Sequence, residues 1–505
     1  MEPLHRWSER FQHRPLAWLT VIALVPRLLA AFFSGGYFAQ DDHFLVIEAA
    51  QSWVDGFDYN NWLPWNQPVP AHPTGHMMLY PGLHYLLFKA CAALGLTDPT
   101  WKMVLVRLLH AVWSVVTVRV GYRIALRLSN RAIAWRCGLF LALLFFAPFL
   151  AVRNLIEVVS TPLLMLAAWH LLRDMDGPAR RDAFVAGLFA GLALDIRFQT
   201  LFFSGGMGLA LLLRREWLKG LAFGCGLVVA VAVVQGLPDL FIWGRPFVEM
   251  TEYVRYNLDN PTNTGIHLPW YDYALVLVGL FIPPFSLAVL FGYARKPRPL
   301  VLWLSVLTFL FFHSIFPNKQ ERFILPIVPL LFVLGYTSWE LWRERSTWWA
   351  RHQRLWRGVM AWTWTVNVLL LVPLCFSYSK RERVMAMLLL RDTPVDTLII
   401  EDTVEQDPPM APLFYLGQWG IHQEGYTDPS VDLRAAIAPS AGDGRVEVVL
   451  FVGQEHLAQR LLHMEQVLGP MELVGCAEPG LLDRTVHWLN PVNRNAVITV
   501  FRTRP

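Results

Sequence analysis

Residues 16–48 read LAWLTVIALVPRLLAAFFSGGYFAQDDHFLVIE, and the order of that stretch decides the fold class. Its first half, 16–33, is an apolar run of the length that crosses hydrocarbon, which takes roughly 20 residues. Arg6, Arg10 and Arg14 precede it as in a signal anchor, and no small-residue cleavage site follows, so the run is expected to remain as a span. Beyond it come Gly35 and Gly36, then two adjacent carboxylates, Asp41 and Asp42, at the head of an amphipathic stretch 43–54. A span that opens directly onto paired acids sets them at a water interface, above a bundle.

The rest of the chain agrees with a membrane protein. Of 505 residues, 55% are hydrophobic and 16% charged, against about 25% charged in soluble domains. Its 22 Trp and 32 Phe exclude a disordered chain. A net charge of +4 without a basic block argues against nucleic acid as a partner. Cys91, Cys137, Cys225 and Cys375 lie in or beside apolar runs, and no cysteine spacing suggests a disulfide framework or a zinc site. The 43 basic residues are nearly all Arg, a bias that points to a GC-rich, bacterial genome.

Apolar runs predict about eleven spans: 16–33, 104–126, 132–152, 158–172, 183–194, 198–213, 217–243, 273–294, 300–316, 323–342 and 358–378. With the N-terminus in the cytoplasm, the inner loops 127–136, 173–181, 214–219, 295–298 and 343–357 hold 17 basic residues, as the positive-inside rule requires. Counting 76–96 as a span would put those arginines outside, so it is read as an interfacial or re-entrant helix. Exterior pieces are then 34–103, 244–272 and 379–505. In the last, 397–401, 446–452 and 496–501 read as strands and 455–469 as a helix, making a small α/β domain. The expectation is an all-α polytopic module over 1–378 followed by an exterior domain over 379–505, in a plasma membrane, or in the endoplasmic reticulum membrane of a eukaryote. No internal repeat of the transporter kind is visible.

Suspicious polar residues gather on the exterior side. Two carboxylates as close as Asp41 and Asp42 disfavour joint ionisation, which makes one a candidate general base. Either could equally N-cap the following helix. Glu252 to Asn257, and Trp270 and Tyr271 after His267, suit sugar rings or a headgroup belt. Lys319 and Arg322 in the turn Phe316-Pro317-Asn318-Lys319-Gln320-Glu321-Arg322-Phe323 suit a phosphate, or simply snorkel. Asp195-Ile196-Arg197-Phe198-Gln199 and Arg153-Asn154-Leu155-Ile156-Glu157 place ionisable groups at span ends. Arg153 and Glu157 also have the spacing of a structural ion pair. Nucleotide-activated sugars and ATP are normally absent outside, so an enzyme there would take its activated group from a lipid carrier.

Three stretches together resemble the C-type (GT-C) integral membrane glycosyltransferases, specifically glycosyltransferase family 22, the mannosyltransferases of lipid-linked oligosaccharide and GPI-anchor assembly and their bacterial relatives. Gln40-Asp41-Asp42-His43-Phe44 with Glu48 is similar to the family's HPDEHFQ…E motif. Asn318 to Phe323 with Pro326 is similar to HKEERF…P, and His267-Leu268-Pro269-Trp270-Tyr271 to its HPW-aromatic loop. Arg197-Phe198-Gln199 echoes its R-aromatic-Q step. Gln40, Asp42 and Asn318 depart from the family's Pro, Glu and His, and Leu268 is an insertion. The likeness covers roughly 16–342 and leaves 379–505 unmatched.

The resemblance implies a polyprenyl-phosphate sugar donor, typically carrying mannose, and inverting transfer to a hydroxyl of a lipid-linked or cell-envelope glycan. Asp41 would be the base, and Asp42 would orient the acceptor or share the proton. Lys319, Arg322 and Arg197 would hold the departing phosphate, so neither metal nor cofactor is required. Glu48, His267, Trp270, Tyr271, Gln199, Glu321 and Arg153 would complete the substrate site. A lipid flippase, or the same chemistry with a pentose donor, are the other readings.

Overall fold

A computed structural model describes residues 14–173, 180–260, 268–295, 298–437, 446–489 and 494–504. The chain packs as two compact units. One comprises Met1–Ala31, Trp62–Tyr80 and Val106–Cys375, the other Phe32–Asn61, Pro81–Leu105 and Phe376–Pro505.

The first unit is helical. Among the described residues, six helices are long and apolar enough to cross a membrane: Pro15–Phe33, Pro99–Leu128, Ile156–Arg173, Trp217–Trp243, Glu321–Arg345 and Gln353–Cys375. The bent pair Phe285–Arg295 and Leu300–Ile315 would add a seventh. Two of the expected spans are not continuous helices. The expected span 132–152 breaks into Arg131–Leu143 and Phe146–Ala151, and 273–294 into Asp272–Leu280 and Phe285–Arg295. The second break falls at Pro283 and Pro284, which supply no backbone donor. The first contains no proline and is held from another helix. Buried Asn367 accepts from the Phe145 N–H and donates to the Leu143 carbonyl, both at 2.8 Å. Arg27 adds bonds to the carbonyls of Ala142 and Leu141 at 2.7 and 3.3 Å. Backbone groups freed in an apolar layer must be answered this way.

Close helix approach uses small residues, since lipid supplies no hydrophobic force between spans. A Cβ on Gly187 would meet the Phe223 carbonyl oxygen at 2.0 Å, and one on Gly226 the Phe184 carbonyl oxygen at 2.1 Å. Arg181–Ile196 and Trp217–Val231 touch backbone to backbone for that reason.

The second unit centres on a five-stranded sheet of β1 (Thr397–Glu401), β2 (His422–Tyr426), β3 (Glu447–Val452), β4 (Met471–Ala477) and β5 (Ile498–Thr503), in the order β2-β1-β3-β5-β4. β1 pairs in parallel with β2 and β3, and β5 runs antiparallel to β3 and β4. β1 and β3 are buried throughout, as covered strands should be. The expected helix over 455–469 forms as Leu457–Leu468.

This unit reaches well beyond 379–505, because segments of the first long loop fold into it. Ser34 Oγ donates to the Ser377 carbonyl at 2.7 Å. Ser379 N–H donates to the Gly35 carbonyl at 3.2 Å, and Gly36 and Ser379 form a parallel bridge. Gly36 has φ +71, and a Cβ there would lie 1.7 Å from the Ser379 carbonyl oxygen, so only glycine fits. The segment expected to lie at the interface forms the helix Leu79–Ala93, 15 residues, about 22 Å long.

Candidate active site

The expected site residues fall in both units. In the second, Asp41 and Asp42 lie in the short helix Gln40–Asp42 that runs into a π-helical turn, His43–Glu48. Such turns concentrate at functional sites because they rotate side chains out of α-helical register. Asp42 stands at the N-cap of His43–Glu48 but makes no side-chain cap bond there. The N-cap of Gln40–Asp42 is Ala39, and both acids sit inside that first turn, where the helix dipole favours negative charge. They differ in setting: Asp41 is exposed, and Asp42 is buried.

His43 and Glu48 support that turn from below. The His43 ring stacks on Tyr37 at 4.6 Å and on Tyr415 at 5.7 Å between centroids. Its Nε2 lies 3.3 Å from Glu48 Oε1. Glu48 is fully buried and also accepts the Phe414 N–H at 3.1 Å. Burial pushes its carboxyl above the usual range, against the pull of His43 and that N–H.

In the first unit the cations collect around one acid. Glu157 Oε1 lies 2.8 Å from Arg197 Nη1 and 3.7 Å from Arg322 Nε. The Phe323 ring lies beneath both guanidiniums, at 4.8 Å from Arg197 and 5.7 Å from Arg322. Arg322 Nε also donates to Gln320 Oε1 at 2.7 Å. Lys319 is buried, its Nζ donating to the carbonyls of Phe316 at 2.7 Å and Leu268 at 3.2 Å. Arg153 lies over the Phe149 ring at 4.5 Å. Arg197, Arg322 and Lys319 outnumber Glu157 and Glu321 in this cluster and its turn, leaving a formal excess of one positive charge. Phosphate is the usual partner for such an excess.

Gln199 Nε2 donates to the Tyr253 hydroxyl at 2.5 Å, with Phe198 5.2 Å from that ring. Trp270 and Tyr271 are exposed and edge to face at 5.8 Å. Glu321 is exposed. His267 lies outside the described residues. Glu157, the i,i+4 neighbour of Arg153, takes Arg197 and Arg322 as ion partners, which its spacing does not single out. Glu249, which no motif singles out, accepts the N–H groups of Gly75 at 2.6 Å and His76 at 3.0 Å. Its burial pushes the carboxyl up to about 7.

Residues 18–398 match the Alg9-like mannosyltransferase family. The chain belongs to that family. It is 26% identical over 333 residues to mannosyltransferase APTG1 of Arabidopsis thaliana, covering 63% of this chain and 57% of that one. It is 24% identical over 350 residues to GPI alpha-1,2-mannosyltransferase 3 of Mus musculus, covering 65% and 60%. This chain thus spans under two thirds of the length of those curated relatives. In structure it is similar to ArnT from Cupriavidus metallidurans bound to undecaprenyl phosphate, with TM-score 0.60, 13% identity, and 96% of this chain and 97% of that one covered. It is also similar to the Archaeoglobus fulgidus oligosaccharyltransferase tethered with an acceptor peptide, with TM-score 0.51, 11% identity, and 91% and 71% covered. The fold is that of the GT-C glycosyltransferases, and the protein is a multi-pass membrane protein.

Proposed function

We propose that the protein is a membrane glycosyltransferase that moves mannose from a polyprenyl-phosphate donor to a hydroxyl of a lipid-linked or cell-envelope glycan. The observation that carries this reading is the gathering of Arg197 and Arg322 on Glu157, with Lys319 in the adjoining turn. Preset cations are worth most where charge develops during reaction, and here that is the lipid phosphate as its bond to the sugar breaks. Glu157 holds the two guanidiniums at fixed angles without neutralising both. A lipid donor agrees with the undecaprenyl phosphate bound to the structural relative ArnT.

In the proposed reaction an acceptor hydroxyl oxygen attacks the anomeric carbon from the face opposite the phosphate. The new C–O bond forms as the C–O bond to phosphate breaks, and polyprenyl phosphate leaves with the electron pair, so the configuration inverts. The hydroxyl proton passes to Asp41, the exposed member of the pair, while buried Asp42 holds the acceptor or shares the proton. Trp270 and Tyr271 offer ring faces to the sugar, with Gln199, Glu321 and Arg153 towards the substrates, and buried Glu48 acts through the His43 turn. The basic inner loops agree with a cytoplasmic N-terminus and chemistry on the outer face.

The test supplies a polyprenyl-phosphate mannose and a lipid-linked glycan acceptor to the purified full chain in vesicles. Asp41→Asn is expected to lower transfer by about 10²-fold or more, the scale of general-base loss. Wild-type transfer by both Asp41→Asn and Asp42→Asn would sink the assignment. Lipid flipping without a glycosyl product would make the protein a transporter instead.

A further inference from the structure

Within the second unit lies a polar cavity of about 260 Å³ that no step above uses. It is large enough for a sugar ring rather than one or two waters. Gln40, Lys380, Glu382, Arg383, Asp407 and Arg494 line it, with Phe38 and Pro408 as apolar wall. Glu382 is 1% exposed, and neither of its carboxylate oxygens accepts a hydrogen bond from the protein. Its nearest cation is Arg383, whose Nε lies 3.6 Å from Oε1. A buried carboxylate so poorly answered costs free energy unless donors arrive from outside the chain.

We infer that this cavity is the acceptor subsite and takes a neutral carbohydrate. The inference rests on the proposed glycosyl transfer and names where the other substrate binds. Hydroxyl-bearing rings bring several O–H donors, which Glu382 and Asp407 can accept, and ring and hydroxyl oxygens, to which Lys380 and Arg383 can donate. The charges argue against an anion. Arg494 is bound to Asp402 through both terminal nitrogens, which leaves Lys380 and Arg383 balanced by Glu382 and Asp407. Phe38 and Pro408 give the ring an apolar surface. Gln40 directly precedes Asp41 in the same helical turn. The cavity therefore begins one residue along the chain from the acid proposed to take the proton.

Binding is measured without donor, so its outcome is independent of whether transfer occurs. Saturation-transfer NMR on the full chain in detergent uses mannobiose, chitobiose and maltose as neutral probes. At least one is expected to bind the wild type. Glu382→Gln, which keeps the side chain's shape, and Arg383→Ala should each weaken that binding at least fivefold at an unchanged melting temperature. No binding by any of the three sugars, or equal binding by wild type and both variants, would overturn the inference. So would displacement of the sugar by inorganic phosphate or by undecaprenyl phosphate, which would make the cavity an anion or donor site.

Discussion

Arg197 Nη1 lies 2.8 Å from Glu157 Oε1, and neither side chain is more than 4% exposed. Removing one partner of a buried pair costs about 3–5 kcal/mol, because the other charge stays buried. Glu157→Ala is expected to lower the melting temperature of the purified protein markedly, and Glu157→Gln, which keeps an acceptor, by much less. An unaltered melt for Glu157→Ala would mean that the pair does not hold in solution.

Gly36 offers a second point of leverage. With φ at +71, and with the Ser379 carbonyl oxygen only 1.7 Å from where a Cβ would sit, the position leaves no room for a side chain. Gly36→Ala should loosen the segment leading into Asp41 and Asp42, and raise amide hydrogen exchange over 34–48 and 376–380. Exchange equal to wild type would show that the bridge is dispensable.

Asn367 spans the break between Leu143 and Phe145 with two hydrogen bonds. Asn367→Leu strands a donor and an acceptor in an apolar layer, at about 1–3 kcal/mol for each buried group. Its thermal stability in detergent should fall well below that of Thr363→Val, a loss of one hydroxyl on the same helix. Equal melts would contradict this role.

Glu249 makes a pH prediction. Burial raises its carboxyl to about 7 in the folded protein, from an ordinary value of 4.5. The folded state therefore holds this proton more tightly than the unfolded chain. The resulting stability is complete below pH 4.5 and is lost as pH rises towards 7. Across that window, from 4.5 up through 7, the melting temperature of wild type should fall relative to that of Glu249→Gln, and a constant difference would rule out the shift.

How far the chain could be read ahead depended on where each signal resides. β1 was legible because Thr397–Glu401 is buried on both faces and reads as an apolar run. β2 and β4 are the sheet's edges, with polar or exposed residues such as His422, Gln423 and Glu472, so no pattern marked them. The break at Pro283 and Pro284 is written locally, whereas that after Leu143 depends on Asn367, 222 residues beyond Phe145. The site divides in the same way. Paired acids and the Lys319-to-Arg322 turn stand out as charges in apolar surroundings, but Glu157 offers two spacings and only packing selects Arg197. Lys380, Glu382 and Arg383 look like a charged boundary after the last apolar run, and the cavity that gives them meaning is assembled from distant segments.

The bond from Ser34 to Ser377 joins residues 343 positions apart. A ribosome must therefore pass residue 377 before the segment carrying Asp41 and Asp42 finds its partners, long after its own synthesis. A nascent or truncated protein lacking positions 377–505 would carry the acids without the Ser377 and Ser379 contacts that hold the segment before them. Assembly of this segment is thus coupled to late synthesis, and shortened chains would present both acids unanchored.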